Sequence, residues 1–183
     1  MRIISGSARG RKLKEPTGDI IRPTSDKVKE SVFNIIQFDI EGRRVLDLFA
    51  GSGQYGIEAL SRGAKSVVFV DSAADSVNLV KENLKISGFS DLALVYARDA
   101  MRYLESDETF DLIFIDPPYG SKLAHESVRK IAEFDKLNIN GIIICELQAD
   151  RTVPAVTPPY SLEKEYRYGG VKIARYLRKN DST

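Results

Sequence analysis

The feature that most restricts the fold of this chain is the hexapeptide Gly51-Ser52-Gly53-Gln54-Tyr55-Gly56. It has GxGxxG spacing and stands between an apolar run, Val45 to Phe49, and a helical segment from about Tyr55 to Arg62 that Gly63 can end. Asp71 lies 20 residues beyond Gly51, at the end of a second apolar run, Val67 to Val70. Strand, glycine turn, helix and a second strand ending in an acid form the unit that holds a nucleoside-bearing ligand at strand carboxyl ends. The glycines let backbone approach such a ligand, and Asp71, with Ser72 after it, is placed to accept hydrogen bonds from both ribose hydroxyls.

The alternation continues along the chain. A helix is expected from Ser25, just after Pro23, with Val28, Val32, Ile35 and Ile36 recurring at three- and four-residue spacing. Another is expected over 74–87, with Val77, Val80, Leu84 and Ile86 broadly on one side and Gly88 at its end. Leu92 to Tyr96, Leu112 to Ile115 and Ile142 to Cys145 supply third, fourth and fifth strands, with helical segments near 100–105 and 122–134. Strands separated by helices make a parallel sheet covered on both faces. Leu162 to Tyr168 and Val171 to Leu177, joined by Gly169-Gly170, alternate with period two and read as a hairpin. The expectation is an α/β fold: a mostly parallel seven-stranded sheet with helices on both faces and a C-terminal antiparallel hairpin. With 183 residues and no internal repeat, residues 1–183 read as a single domain, of which 1–24 form a basic N-terminal extension.

Several function classes drop out at this level. No apolar run approaches the roughly 18–20 residues a membrane helix needs, and the amino terminus is polar, so a soluble cytoplasmic protein with no membrane partner is expected. Cys145 is the only cysteine and His125 the only histidine, which removes an internal disulfide and the common zinc frameworks; no metal is expected. Cys145, inside Gly141-Ile142-Ile143-Ile144, reads as a small buried residue, and His125 as a solvated one. Arg2, Arg9, Arg11, Lys12 and Lys14 give residues 1–14 a charge of +5, so with a net charge of +1 the rest carries −4. A basic arm on a slightly acidic body can neutralise nucleic-acid phosphates and release their counterions.

The sign of charge also selects the nucleoside. Asp47 sits four residues before Gly51, at the mouth of the same strand, where a carboxylate would repel a pyrophosphate. S-adenosylmethionine carries an ammonium and a sulfonium instead, and an acid stabilises both. Asp99, a few residues past the third strand and followed by Ala100 and Met101, would face the same crevice and can accept from an adenine amino group.

Asp116-Pro117-Pro118-Tyr119 directly follows the fourth strand, on the edge that carries the glycine loop. The two prolines fix the backbone and leave carbonyls to accept, Asp116 adds another acceptor, and Tyr119 adds a flat face. Together they can receive a planar amine. Such an amine is a poor nucleophile because its lone pair is delocalised. Holding its two hydrogens on Asp116 and the Pro117 carbonyl lets the nitrogen pyramidalise and aim that pair at a methyl carbon.

Through Asp47-Leu48-Phe49-Ala50-Gly51-Ser52-Gly53 and Asp116-Pro117-Pro118-Tyr119 the sequence resembles class I methyltransferases that modify amino nitrogens. Met1-Arg2-Ile3-Ile4-Ser5-Gly6, Arg9-Gly10-Arg11, Arg22-Pro23-Thr24-Ser25-Asp26-Lys27-Val28-Lys29-Glu30 and Glu58-Ala59-Leu60-Ser61-Arg62-Gly63-Ala64 narrow it, and the chain is similar to the bacterial RsmD family from residue 1 to about 120. That family methylates a guanine 2-amino group in 16S ribosomal RNA. The resemblance implies a Rossmann-like class I methyltransferase fold with S-adenosyl-L-methionine as cofactor. Arg22, Pro23 and Thr24 would close over it, Asp47, Phe49, Ala50, Gly51, Ser52 and Gly53 would line it, Asp71 and Ser72 would hold its ribose, and Asp99 and Ala100 would meet its adenine. Asp116, Pro117, Pro118 and Tyr119 would receive the guanine. It further implies a small N-terminal β-hairpin, made by residues 2–5 and 11–14, that clamps RNA through Arg2, Arg9, Arg11, Lys12 and Lys14. The partner would be ribosomal RNA, with an assembling small subunit expected ahead of naked RNA; apart from the resemblance, a monomer is expected. Members more often carry Glu where this chain has Asp71, and small or aliphatic residues at Gln54 and Tyr55. Adenine or protein glutamine remains open as acceptor for the same tetrad, as does a non-catalytic module that senses NAD or S-adenosylmethionine.

Overall fold

The computed structural model describes residues 1–16 and 26–180. Helix α1 (Asp26–Ile35) precedes strand β1 (Arg44–Asp47), α2 (Gln54–Ser61), β2 (Ser66–Asp71), α3 (Ala74–Ser87), a 3-10 turn (Ser90–Leu92) and β3 (Ala93–Ala97). Then come α4 (Ala100–Tyr103), β4 (Phe110–Ile115), α5 (Leu123–Glu133), β5 (Leu137–Gln148), β6 (Tyr160–Tyr168) and β7 (Val171–Arg178). One seven-stranded sheet runs in the order β3-β2-β1-β4-β5-β7-β6. β1 to β5 are parallel, whereas β7 pairs antiparallel with both β5 and β6. The expected sheet, hairpin and helical layers are all present.

Two apolar layers hold the sheet, one on each face, because successive strand residues point to opposite sides. Val45, Val67, Phe69, Leu112, Phe114, Ile142 and Ile144 face one layer with α1, α2 and α3. Leu46, Val68, Val70, Ile113, Ile115, Ile143 and Cys145 face the other with α4 and α5. Cys145 is fully buried, which pushes its thiol well above the ordinary range, while His125 is exposed on α5. Among the described residues no group of three His, Cys, Asp or Glu side chains could hold a metal ion, and no helix is long and apolar enough to cross a membrane.

Three expectations need correction. β5 runs from Leu137 to Gln148 rather than from Ile142 to Cys145. Its early residues include Asn138 and Asn140, the latter at φ 61°, which interrupt the apolar pattern, and it continues through the buried acid Glu146. Ile86 is exposed, not on the buried side of α3: it stands two residues, or roughly 200° of helical rotation, from Leu84. β1 ends at Asp47, so Leu48 to Ala50 belong to the turn.

The basic arm is docked rather than loose. Arg2 bridges Lys12 in antiparallel sense, and the Ile3 and Leu13 N–H groups donate to the Arg11 and Met1 carbonyls at 3.0 and 3.1 Å, the small hairpin expected. Ile3, Ala8 and Leu13 are buried in the first apolar layer, leaving the cations outside. Glu58, on α2 and only 1% exposed, accepts from the Ile4 and Ser5 backbone N–H groups at 2.8 and 3.0 Å. Lys29 and Arg62 neutralise it at 3.7 and 2.9 Å. Burial holds the Lys29 amine below its usual range, although Glu58 and Asp26 oppose this.

Candidate active site

In the order β3-β2-β1-β4-β5 the chain turns back between β1 and β4, and at such a switch point the crevice opens beyond the strand carboxyl ends. Asp47 pairs with Phe114 in register, and Leu48 N–H donates to the Phe114 carbonyl at 3.1 Å. The glycine loop after β1 and the tetrad after β4 therefore leave neighbouring, hydrogen-bonded strands two residues from one another's level. Asp71 and Asp99 follow on the same edge, where the Arg98 N–H donates to the Asp71 carbonyl at 3.0 Å.

Three acids on this edge already hold backbone. Asp71 accepts from the Gly51 N–H through one oxygen and from the Ala73 N–H through the other, both at 2.9 Å. Asp99 caps α4 by accepting from the Arg102 N–H at 3.0 Å. Asp47 is 2% exposed and accepts from the Gly56 N–H at 3.0 Å. Burial outweighs that bond and pushes its carboxyl up to about 7, with the nearby charge of Asp71 adding to the rise.

The glycines divide the work. A methyl group on Gly56 would meet Phe69 at 2.3 Å, so this glycine lets α2 lie directly on β2. A methyl on Gly51 would meet nothing within 4 Å, so the backbone there, at φ 54°, faces open space that a ligand can occupy. Ala50 and Ser52 are buried, Phe49 is half-buried against the second layer, and Ser72 is exposed at the end of β2. Ala100 is buried at the start of α4. Arg22, Pro23 and Thr24 lie outside the described residues.

The loop chemistry fits a cationic nucleoside better than a dinucleotide. Its N–H groups at Gly51, Gly53 and Gly56 already donate to Asp71, to the Ala50 carbonyl and to Asp47, so a phosphate would find them engaged. No Lys or Arg stands between Asp47 and Gly56. Asp71 and Asp99 make the rim acidic and Asp47 stands buried behind the loop, which suits a ligand bearing an ammonium, a sulfonium and two ribose hydroxyls.

In the tetrad, Pro117 is buried, Asp116 half-buried and Tyr119 half exposed. The sequence left both proline carbonyls to accept, but that of Pro118 already accepts from the Ser121 hydroxyl at 2.7 Å. The Tyr119 hydroxyl donates to Glu146 at 3.0 Å. Tyr55, where members of the family more often carry small or aliphatic residues by the resemblance above, points inward: it is 4% exposed, stacks on Phe114 at 5.1 Å and donates to Glu146 at 2.8 Å. Sequence reasoning missed Glu146. It also missed Asn83, buried on α3, which donates to the Ser52 carbonyl at 2.9 Å while exchanging bonds with the Lys14 backbone, so that the arm and the glycine loop share an anchor. A lone Asn or Glu inside an amphipathic element carries no local signal of such a role.

The five arm cations are all exposed, but not equally available. Arg11 donates to the Ser87 carbonyl at 2.7 Å at the end of α3, Lys14 pairs with Glu82 at 3.0 Å, and Arg2 lies 3.9 Å from Asp26. Arg9 and Lys12 make no ion pair with the described residues.

Sheet order, glycine loop and tetrad together define a class I methyltransferase fold. The description Conserved hypothetical protein 95 matches residues 1–177, and with the relatives below it shows that the chain belongs to the RsmD family. YlbH of Bacillus subtilis is 40% identical over 183 residues, covering 98% of this chain and 100% of that one. Ribosomal RNA small subunit methyltransferase D of Haemophilus influenzae is 37% identical, covering 96% and 93%, and that of Escherichia coli 34%, covering 97% and 90%. Among solved structures, the yhhF protein of Escherichia coli superposes with a TM-score of 0.88 at 31% identity, covering 98% of both chains. An RNA methyltransferase from Salinibacter ruber, solved with S-adenosyl-L-homocysteine, shares the fold at a TM-score of 0.66 and 16% identity, over 88% of this chain and 97% of that one.

Proposed function

We propose that this chain methylates the exocyclic 2-amino group of a guanine in small-subunit ribosomal RNA, using S-adenosylmethionine. The observation that carries the reading is the adjacency of β1 and β4, which sets an acidic, phosphate-averse glycine loop beside an amine receptor at one switch point. The names of the Haemophilus influenzae and Escherichia coli relatives support ribosomal RNA as substrate. The exposed arm, with Arg9 and Lys12 facing solvent, supports a polyanionic partner.

Bound S-adenosylmethionine would be held by Asp47, Asp71, Asp99 and the Gly51 backbone, with Ser52, Ala50, Phe49, Gly53, Ser72 and Ala100 around it, and would supply an electrophilic methyl group. The chain's own part is placement. Asp116 and the Pro117 carbonyl hold the two amine hydrogens, so the nitrogen pyramidalises and its lone pair, less delocalised into the ring, is aimed at the methyl carbon. Tyr119 stacks on the ring, which a flipped or single-stranded base can reach most readily. As positive charge grows on the nitrogen, the Asp116 carboxylate stabilises it more than it stabilises the neutral amine.

Asp116→Ala is expected to keep cofactor affinity within about threefold by calorimetry and to abolish turnover. Ribosomal RNA from cells lacking the protein is expected to miss one methylguanine. Loss of a methyladenine instead, or normal turnover in Asp116→Ala, would overturn the assignment.

A further inference from the structure

A carboxyl group that is 4% exposed on a core strand needs a reason, because an apolar side chain of similar size would pack there without the cost of removing a charge from water. Glu146 sits on β5 one residue past Cys145, whose register partner on β4 is Ile115, so it lies beside the start of the tetrad on the neighbouring strand. Its two oxygens are used separately. One accepts from Tyr55 at 2.8 Å and the other from Tyr119 at 3.0 Å.

The two tyrosines differ in kind. Tyr55 is buried, stacked on Phe114 and tilted against Phe33 at 6.1 Å, so it is fixed by the core. Tyr119 is 50% exposed, and its ring projects from the end of the tetrad. A half-exposed aromatic ring has rotational freedom unless its far end is tied. Here the tie runs from core ring to carboxylate to exposed ring. Burial raises the Glu146 carboxyl above the usual range, whereas both phenol donors favour its anionic form.

We propose that Glu146 is a positioning residue for the transfer reaction: through the hydroxyl of Tyr119 it sets the plane on which the acceptor ring stacks. This rests on the reading of the tetrad as acceptor receptor. Glu146 touches neither cofactor nor acceptor. Its effect is orientation of a surface that the acceptor meets, and it enters the rate through the fraction of bound acceptors held in line for transfer.

The test is a double-mutant cycle of Glu146→Leu, which removes both acceptor oxygens, and Tyr119→Phe, with Tyr119→Ala alongside, measured by steady-state kinetics on small ribosomal subunits and by calorimetry with S-adenosylmethionine alone. Tyr119→Phe keeps the ring and loses only the tie. Each single variant is expected to lower kcat about tenfold, the equivalent of one charge-assisted hydrogen bond, with cofactor affinity and KM changed less than about threefold. The double variant is expected to be no slower than the slower single one, because both remove the same link. Losses that multiply, or unchanged kcat in Glu146→Leu, would overturn the proposal. If Glu146→Leu does not fold, Tyr119→Phe decides alone, since it alters a half-exposed group: normal kcat refutes the tie and a kcat-only loss supports it. Full turnover in Tyr119→Ala would instead refute the receptor reading itself, so the two failures are distinguishable.

Discussion

Asp47 should make this fold lose stability as pH rises through the neutral range, opposite to the behaviour of a salt-bridged carboxylate. Its carboxyl stands at about 7 in the folded chain against an ordinary 3.8, because burial outweighs the single bond from Gly56. Between those two values the folded state holds a proton that the unfolded state has released, so stability falls with rising pH across that window. Three units at about 1.36 kcal/mol each come to about 4 kcal/mol, absent below pH 4 and complete somewhat above pH 7. Asp47→Asn cannot ionise and can still accept from Gly56. Urea midpoints of the two proteins at intervals from pH 4.5 to 8 should diverge, with the wild type losing ground steadily. The raised Glu146 carboxyl acts in the same direction but is present in both chains and cancels from the difference. Parallel midpoints across the range would refute the assignment of a buried, reluctantly ionised acid behind the loop. A cationic ligand facing Asp47 should reverse the trend. Its binding near pH 6.5 should then release a proton in the wild type and none in Asp47→Asn, measurable by calorimetry in buffers of differing ionisation enthalpy.

Two glycine substitutions separate packing from ligand approach. Gly56→Ala drives a methyl into Phe69 at 2.3 Å and should cost about 1–3 kcal/mol in denaturant stability, and a stability equal to wild type would show that α2 can ride off the sheet freely. Gly51→Ala meets no neighbour, so its stability loss should be only the roughly 1–2 kcal/mol of a left-handed residue, while cofactor affinity falls by tenfold or more; unchanged affinity would remove the loop from the site. In the arm, Arg9→Gln with Lys12→Gln should weaken RNA binding and flatten its salt dependence without moving the thermal midpoint. Arg11→Gln should lower that midpoint, because Arg11 holds the end of α3; equal behaviour of all three would reduce the arm to undifferentiated charge.

The parts of this fold that could be read from sequence are those where one residue type answers one local demand. Gly51 and Gly56 announce a strand-to-helix turn, Gly88 ends α3 at φ 81°, and Gly169-Gly170 turns the last hairpin. Period-two and period-3.6 patterns then supply the layers. Reading failed where a tertiary demand overrode the local pattern. β5 looks shorter in sequence because Asn138 and Asn140 resemble loop residues and Glu146 resembles a surface one, although pairing with β4 at Leu137 and with β4 and β7 from Ile142 onward holds both ends of the strand in the sheet around the left-handed Asn140. No local pattern around Tyr55 shows that it turns inward, because its hydroxyl finds a buried acceptor 91 residues away. Glu58 carried the family pattern but not its role, since two N–H groups of the arm and two cations converge on it only after folding.

The acids of the edge show why such a site can be built before any ligand arrives. A free glycine loop would have to be ordered on binding, at a cost of about 1–2 kcal/mol per residue fixed. Here Asp71 already ties Gly51 to the turn after β2, Asp47 ties the first turn of α2 to β1, and Asn83 ties Ser52 to α3. Each tie uses one lone-pair direction of an oxygen that has another to offer. The same carboxylates can therefore shape the loop and remain acceptors toward a ligand, and the affinity of the site need not be spent on assembling it. Replacing Asp71 by Glu would lengthen the reach of its ties without removing them. A change to Ala would lose loop geometry and ligand contact together. Affinity in Asp71→Ala should accordingly fall further than removal of two hydroxyl contacts alone would explain, and Asp71→Glu should restore most of it.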